Sequence, residues 1–446
     1  MMITEDIRKK IIALVHEEVV PSIGCTEPMC VALCTAKAAE KLGQRPERIE
    51  VLLSANILKN AMGVGIPNTG MIGLPIAIAL GAICGRSEYQ LEVLKDVDAE
   101  AVEQAKAYLA SHEVNIQLKP DIMEKLYIEI LATAADTSTP RHFDRLSPRQ
   151  AQVKTARTVI SGGHTDFVYI AKNDDVLLDV RQDSEEQVEE ADDSWLSLRK
   201  VYDFATTAPL DEISFINESR TLNEAAARQS LHGNYGHLLG KTLTRPLGKG
   251  IMGDSIFSHI ISATACACDA RMAGAMIPVM SNSGSGNQGI CATLPVVKFA
   301  EENHNTDEEL TRALMLSHLT AIYIKQSLGK LSALCGCVVA STGSSCGITY
   351  LMGGGYEQVC ASVKNMIANL SGMICDGAKP SCTLKLASAV STAVLSAMMA
   401  ISGECVSSTE GIIDDDVDRS IHNLTKIGKD AMNETDRCVL DIMTNK

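Results

Sequence analysis

The stretch SGMICDGAKPSC, residues 371–382, sets Cys375 and Cys382 around a turn signal, because Asp-Gly and Lys-Pro force a tight loop that can aim both sulfurs at one point. Upstream, KLSALCGC places Cys335 at the end of an apolar helical run. Three thiolates converging from a loop and a helix end could hold a soft metal. The spacing fits neither the paired CxxC of zinc ribbons nor the clustered runs of ferredoxins, so a metal centre and three unrelated core cysteines both stay open. A fourth cysteine lies in PSIGCTEPMC, where Pro21 and Gly24 break one helix and Thr26, Glu27 and Pro28 start the next, with Thr26 as N-cap. Cys25, just ahead of that helix, sits where free N–H groups and the helix dipole favour a thiolate, so it reads equally as a base or nucleophile and as a buried turn residue. The other cysteines, Cys337 among them, lie mostly in apolar helical text and read as small hydrophobes.

Two further stretches carry polar groups suited to a small anion. In ARMAGAMIPVMSNSGSGNQG, residues 270–289, Ser281, Asn282, Ser283, Gly284, Ser285, Gly286 and Asn287 offer short side chains and unencumbered backbone N–H groups; a plain connecting loop is the alternative. It is not a Walker loop, since no Gly-Lys-Ser/Thr follows. In SANILKNAMGVGIPNTG, residues 54–70, Asn56, Lys59 and Asn60 share one face if helical, which suits a site edge as well as a solvated face. His164 reads as a loop polar residue and His318 as a satisfied core histidine.

The elements that position these groups divide the chain in two. Up to about residue 190, helical patterns alternate with strand-like runs, RIEVLLSAN, VNIQLK, KLYIEILATA and AQVKTARTVI, followed by a hairpin, DFVYIAKNDDVLLDV, around Asn173-Asp174-Asp175. This half is mixed α/β and residues 191–446 read as almost entirely helical, broken by Gly-rich turns, so the class is α+β. The acidic run RQDSEEQVEEADDSW marks the boundary, giving portions 1–190 and 191–446.

Composition sets the outer limits. With 40 basic and 55 acidic side chains, the net charge of −15 repels a nucleic-acid backbone or an anionic membrane on average. The N-terminal MMITEDIRKKIIALVHEEVV has no basic n-region or apolar h-region, so a cytoplasmic protein is expected. Fifteen cysteines there are not a disulfide framework. The apolar windows at 71–85 and 386–402 are expected to be core helices, the first too short to span a bilayer and the second punctuated by Ser and Thr.

Taken together, GCTEP, NILKNAMGVGIPNTGMIGLPIA, SGGHT, DARMAGA, MSNSGSGNQGI, LMLSHLTAIYIK, LSALCG and SGMICDGAKPSC resemble the L-cysteine desulfidase family, from about residue 7 to the C-terminus. That family is related to the iron-sulfur L-serine dehydratases through their catalytic domain, which the helical half resembles. The resemblance implies a carbon-sulfur lyase, independent of pyridoxal phosphate, that splits L-cysteine into sulfide, ammonia and pyruvate. It implies a [4Fe-4S] cluster held by Cys335, Cys375 and Cys382, with one open iron as Lewis acid, and Cys25 as the base. For the substrate carboxylate it points to residues 281–287, with Asn56, Lys59 and Asn60 facing it and Arg271 or His164 as further partners. The expected partner is a small amino acid, and a homo-oligomer is compatible. Some serine dehydratase relatives end in a cysteine tail, whereas this chain ends DIMTNK. An iron-sulfur L-serine dehydratase and a non-catalytic metal-binding structural protein are the alternatives.

Overall fold

In the computed structural model, residues 3–136 (apart from 121, 123 and 125), 153–181, 195–329 and 332–445 are described. The acidic run at 182–194 lies outside them. The chain forms two compact units, Cys25–Ala191 and the pair Met1–Gly24 with Asp192–Lys446, so the first residues belong with the C-terminal part.

The chain opens with α1 (Glu5–Glu18) and β1 (Pro21–Ile23), then enters the first unit through α2 (Thr26–Leu42). The N-cap of α2 is Cys25, one residue earlier than the sequence suggests, and Gly43 closes the helix at φ 78°. A left-handed residue at that position costs glycine little. There follow β2 (Arg48–Leu53), α3 (Ala55–Ala61), α4 (Leu74–Ile83), α5 (Ala99–Ser111) and β3 (Glu113–Leu118). The antiparallel run β4 (Tyr127–Ala135), β5 (Val153–Ser161), β6 (Phe167–Lys172) and β7 (Asp175–Asp179) completes a sheet of order β3-β2-β4-β5-β6-β7. Among the described strands only β2 and β3 pair in parallel, as a connection long enough to carry α3, α4 and α5 allows. The β6–β7 loop is two residues long, with Asn173 at φ 51°, the conformation that tight hairpins favour. Helix α2 packs on β4 and β5, and its buried Cys34 lies 3.2 Å from the Thr158 hydroxyl. Burial pushes that thiol up to about 12, which keeps it a protonated packing group.

The second unit adds α6 (Leu198–Thr207), α7 (Leu210–Ile213), α8 (Glu218–His232), α9 (Leu239–Leu243), α10 (Pro246–Met252) and α11 (Ile256–Met272). Strand β8 (Pro278–Met280) then pairs antiparallel with β1, Pro21 opposite Met280. Beyond it lie α12 (Gly286–Glu302), α13 (Asp307–Leu328), α14 (Gly336–Leu351), α15 (Tyr356–Leu370), α16 (Cys382–Ile401), α17 (Val417–Lys426) and α18 (Asn433–Thr444). Helix α14 is central, packed by α12, α13, α15 and α16. Its small residues permit this, because a Cβ on Gly343 would stand 2.2 Å from the Ser317 carbonyl oxygen of α13. Its buried hydroxyls are satisfied by main-chain carbonyls, Thr342 by Val338 at 2.8 Å and Ser345 by Ala393 at 2.9 Å.

The two apolar windows behave differently. Helix α4 is almost wholly buried. Helix α16 is long and apolar enough to cross a membrane by composition, and half of its apolar window is buried, with Leu384, Leu395, Met398 and Met399 exposed.

Candidate functional site

In the sheet-containing unit, the start of α2 brings Cys25 against Glu27. The Cys25 thiol, 3 % exposed, donates to Glu27 Oε2 at 3.0 Å, and Asn60 Nδ2 of α3 donates to the other carboxylate oxygen at 3.3 Å. Residues 55–61 are helical, so Asn56, Lys59 and Asn60 share a face as expected. Lys59 is deeply buried, and Asn56 Oδ1 is buried without a donor among the described residues. The arrangement is a thiol whose proton has an adjacent carboxylate acceptor, itself steered by an amide. His164 follows β5, and its carbonyl accepts the Cys30 thiol at 2.9 Å.

In the helical unit, β8 leads through residues 281–285 into α12. The sequence suggests that this loop offers free N–H groups; the structure shows most of them engaged. Ser281 N–H and Oγ both donate to the Val20 carbonyl, at 2.9 and 2.6 Å, and Ser283 N–H donates to the Glu18 carbonyl at 2.9 Å. Asn282 and Ser285 exchange main-chain bonds at 3.1 and 3.0 Å. Ser283 and Gly284 are left-handed, at φ 49° and 75°, which turns the chain into the helix. Asn282 is wholly buried, and its Nδ2 donates to His318 Nδ1 at 3.2 Å and to the His318 carbonyl at 3.1 Å. Thr293 Oγ1 lies 3.0 Å from the other ring nitrogen. Burial lowers His318 to about 3, so the ring is neutral, a core histidine that pins the loop.

Anion-binding capacity therefore concentrates at the start of α12 rather than along the loop. The N–H groups of Gly286 and Asn287 stand in the first turn, where no intrahelical acceptor exists. Arg271, in the last turn of α11, lies beside them and is 3 % exposed. Its Nη1 donates to Asn287 Oδ1 at 3.1 Å, while its buried Nε has no acceptor and no carboxylate ion-pairs with it among the described residues. Gly286 makes this possible, since a Cβ there would stand 2.3 Å from Arg271 Nε. A guanidinium buried without a counter-ion beside a helix N-terminus has the chemistry to receive an anion.

Sequence reasoning missed several neighbours. Gln288 is 4 % exposed, its Oε1 has no donor among the described residues, and Gly336 leaves room for its side chain, a Cβ there being 2.9 Å from Gln288 Cδ. Cys268 donates to Asn287 Oδ1 at 3.6 Å, and burial raises its thiol. Asp269 accepts from the Thr383 hydroxyl at 3.0 Å and the His237 N–H at 3.2 Å, its Oδ2 has no donor, and burial raises its carboxyl. Cys268 and Asp269 sit in or beside the DARMAGA text that drew attention to Arg271, but a Cys and an Asp in a helical run carry no spacing signal.

The cluster assignment is corrected by the structure. Among the described residues, no group of three or more His, Cys, Asp or Glu side chains is arranged to hold a metal ion. Segments 333–335 and 373–375 do approach, with Cys335 N–H on the Met373 carbonyl at 2.9 Å and Cys375 N–H on the Ala333 carbonyl at 2.6 Å. Cys335 and Cys375 hydrogen-bond to each other, but the third sulfur does not join them in a metal-holding group. Cys335 Sγ lies 3.2 Å from Cys337 Sγ, Cys337 lies 3.3 Å from Met373 Sδ, and Cys382 donates to the Gly377 carbonyl at 3.5 Å. Its hydrogen bond with Cys337 raises Cys335, and burial raises Cys382. The residues thus do not fit a [4Fe-4S] cluster on Cys335, Cys375 and Cys382. With it fall the iron-sulfur-dependent carbon-sulfur lyase, the iron-sulfur serine dehydratase and the metal-binding structural readings. Cys337, expected only to pack, lies with its sulfur 3.2 Å from that of Cys335.

The turn itself is held by charge. Lys379 and Lys385 both pair with Asp376 Oδ1, Lys379 at 2.6 Å, and although partial burial works the other way they lower its carboxyl to about 2.

Comparison with known proteins supplies the family. Residues 88–441 match the family described as serine dehydratase alpha chain. The chain is 66 % identical to a UPF0597 protein of Bacteroides thetaiotaomicron, over 99 % of each chain. It is 65 % identical to one of Phocaeicola vulgatus, over 100 % of this chain and 99 % of the relative, and 44 % identical to one of Shewanella halifaxensis, over 97 % of each. The likeness is to this broader group and does not single out the L-cysteine desulfidases. The chain belongs to the serine dehydratase alpha chain family, among proteins named UPF0597.

Proposed function

We propose that the protein is an enzyme acting on a small amino acid, with the α-carboxylate received at the start of α12 by Arg271 and the N–H groups of Gly286 and Asn287. The observation that carries this is the buried, acid-free guanidinium of Arg271 against Gly286. Membership of a family described by an amino-acid dehydratase supports the substrate class. Ser281, Asn282, Ser283, Gly284 and Ser285 shape the approach to that helix start.

Cys25 is proposed as the proton-transfer residue. Glu27 accepts the thiol proton across the 3.0 Å contact, leaving a thiolate competent to act as a base. Asn60 keeps the carboxylate oriented, and Asn56, Lys59 and His164 are assigned to its surroundings. A cytoplasmic setting suits a chain whose fifteen cysteines are free.

The test separates carboxylate recognition from proton transfer. Calorimetric titration should show L-alanine or L-serine binding and L-alaninamide, which lacks the carboxylate, failing to bind. Equal binding of acid and amide removes the Arg271 assignment. In D2O, NMR should show wild-type protein exchanging the Cα proton of a bound amino acid and Cys25→Ala slowing this by about 10²- to 10⁴-fold. Undiminished exchange in that variant removes Cys25 from the role.

A further inference from the structure

The start of α12 carries Ser285, Asn287 and Gln288, and the first two are spent. Ser285 Oγ is the N-cap and accepts the Gln288 N–H at 3.4 Å. Asn287 Oδ1 accepts from Arg271 Nη1 at 3.1 Å and from the Cys268 thiol at 3.6 Å, and its Nδ2 donates to Met272 Sδ at 3.4 Å. Gln288 is the exception, buried with no donor for its Oε1 among the described residues. An amide oxygen buried in that way costs free energy that a ligand N–H can recover. Gly336 fixes where the amide lies, since a Cβ there would stand 2.9 Å from Gln288 Cδ. One turn further along α12, the buried Cys291 is within electrostatic reach of both Cys268 on α11 and Cys335 at the start of α14, so this face of the helix meets the seam between α11, which carries Arg271, and α14.

Arg271 and Gln288 are therefore complementary. At one helix start stand a buried cation with an N–H to spare and a buried neutral acceptor with a lone pair to spare. An α-amino acid carries the matching pair on a single carbon, a carboxylate and an ammonium. Resting on the carboxylate reading above, we propose that Gln288 Oε1 receives the substrate α-ammonium group and so makes the site specific for free α-amino acids over simple carboxylates. Asp269, another buried acceptor on α11, is committed elsewhere, because the N–H groups of His237, Leu239 and Gly240 face its carboxyl. The neutrality of Gln288 is part of the arrangement. A carboxylate at this position would compete with the substrate for Arg271, whereas an amide holds the ammonium and leaves the guanidinium to the ligand.

The experiment is a calorimetric titration of the full chain with L-alanine, with propionate, which keeps the carboxylate and lacks the ammonium, and with L-alaninamide, which does the opposite. Wild-type protein should bind L-alanine at least about tenfold more tightly than propionate, as a hydrogen bond to a charged group implies. Gln288→Met removes the acceptor and should abolish that preference by weakening L-alanine alone, with propionate affinity unchanged; a residue that only packs would weaken both ligands or neither. Equal wild-type affinities for L-alanine and propionate, or a preference that survives in Gln288→Met, overturn the Gln288 assignment and leave Arg271 in place. L-Alaninamide binding as tightly as L-alanine, or failure of both acids to bind wild-type protein, overturns the carboxylate reading, and the Gln288 assignment falls with it. The wild-type comparison needs no variant, so a poorly folded Gln288→Met does not blunt the test.

Discussion

Each unit buries a charged side chain, and the two are treated in opposite ways. Glu129 on β4, 5 % exposed, is met by Lys119 at 2.8 Å, the Tyr127 hydroxyl at 2.6 Å and Arg157 at 2.5 Å. Burial alone would raise its carboxyl, yet Lys119, Tyr127 and Arg157 lower it. Arg271 on α11 is buried as deeply, with an amide oxygen for company and no acidic partner among the described residues. A buried charge completed from within its own fold is structural, and one left incomplete is a place where a ligand can finish the set. His318 shows a third solution, in which burial removes the charge altogether.

The histidine gives the largest expected effect. Its folded pKa, about 3, lies below the unfolded value, so the unfolded chain binds the extra proton first as pH falls. Stability should decline from about pH 6.5 towards pH 3 by about 1.4 kcal/mol per pH unit from this group alone. Denaturant melts of wild type and His318→Gln should differ in that slope, and identical slopes would show that His318 does not stay neutral.

Arg271→Leu comes next. Loss of a charge-assisted hydrogen-bond partner should weaken amino-acid binding by about 1.5–3 kcal/mol, while thermal stability holds or rises because an uncompensated charge has gone. A variant that bound normally but melted early would recast Arg271 as structural and erase the contrast. Glu129→Gln should do the reverse, lowering stability by about 1–2 kcal/mol, moderated by the partial exposure of Lys119 and Arg157, with amino-acid affinity unchanged.

The smallest effect concerns Asp376. Its lowered pKa means that the clamp by Lys379 and Lys385 is complete above the ordinary carboxylate range and is lost as pH falls towards about 2. The protection factor of residues 374–382, the exchange rate corrected for its intrinsic pH dependence, should fall over that window in wild type, and Asp376→Asn should show the low protection throughout. A wild-type protection factor that does not change with pH would dismiss the clamp.

Much of this was legible in the chain because it depends on local chemistry. Alternating apolar residues gave β2 to β5, and Asn173-Asp174-Asp175 marked the hairpin whose Asn173 is left-handed. The division into a mixed α/β beginning and a helical remainder followed from the same periodicities, and Pro28 marked the start of α2. The i, i+3, i+4 spacing was enough to group Asn56, Lys59 and Asn60.

What needed the tertiary structure was every question of partnership. Sequence spacing supplied Cys335, Cys375 and Cys382, but where each sulfur settles depends on the neighbours it meets: Cys335 meets both Cys337 and Cys375, and Cys382 the Gly377 carbonyl. The N–H groups of Ser281, Ser283 and Ser285 were taken by segments distant in sequence or across the turn, which no local pattern announces. The joining of residues 1–24 to the helical unit likewise rests on a β1–β8 pairing between strands of only three residues. Arg271 was nameable from its text alone; that it is buried without an acid among the described residues is a property of packing, because burial and counter-ion are set by what folds around a residue and not by the residues beside it in the chain.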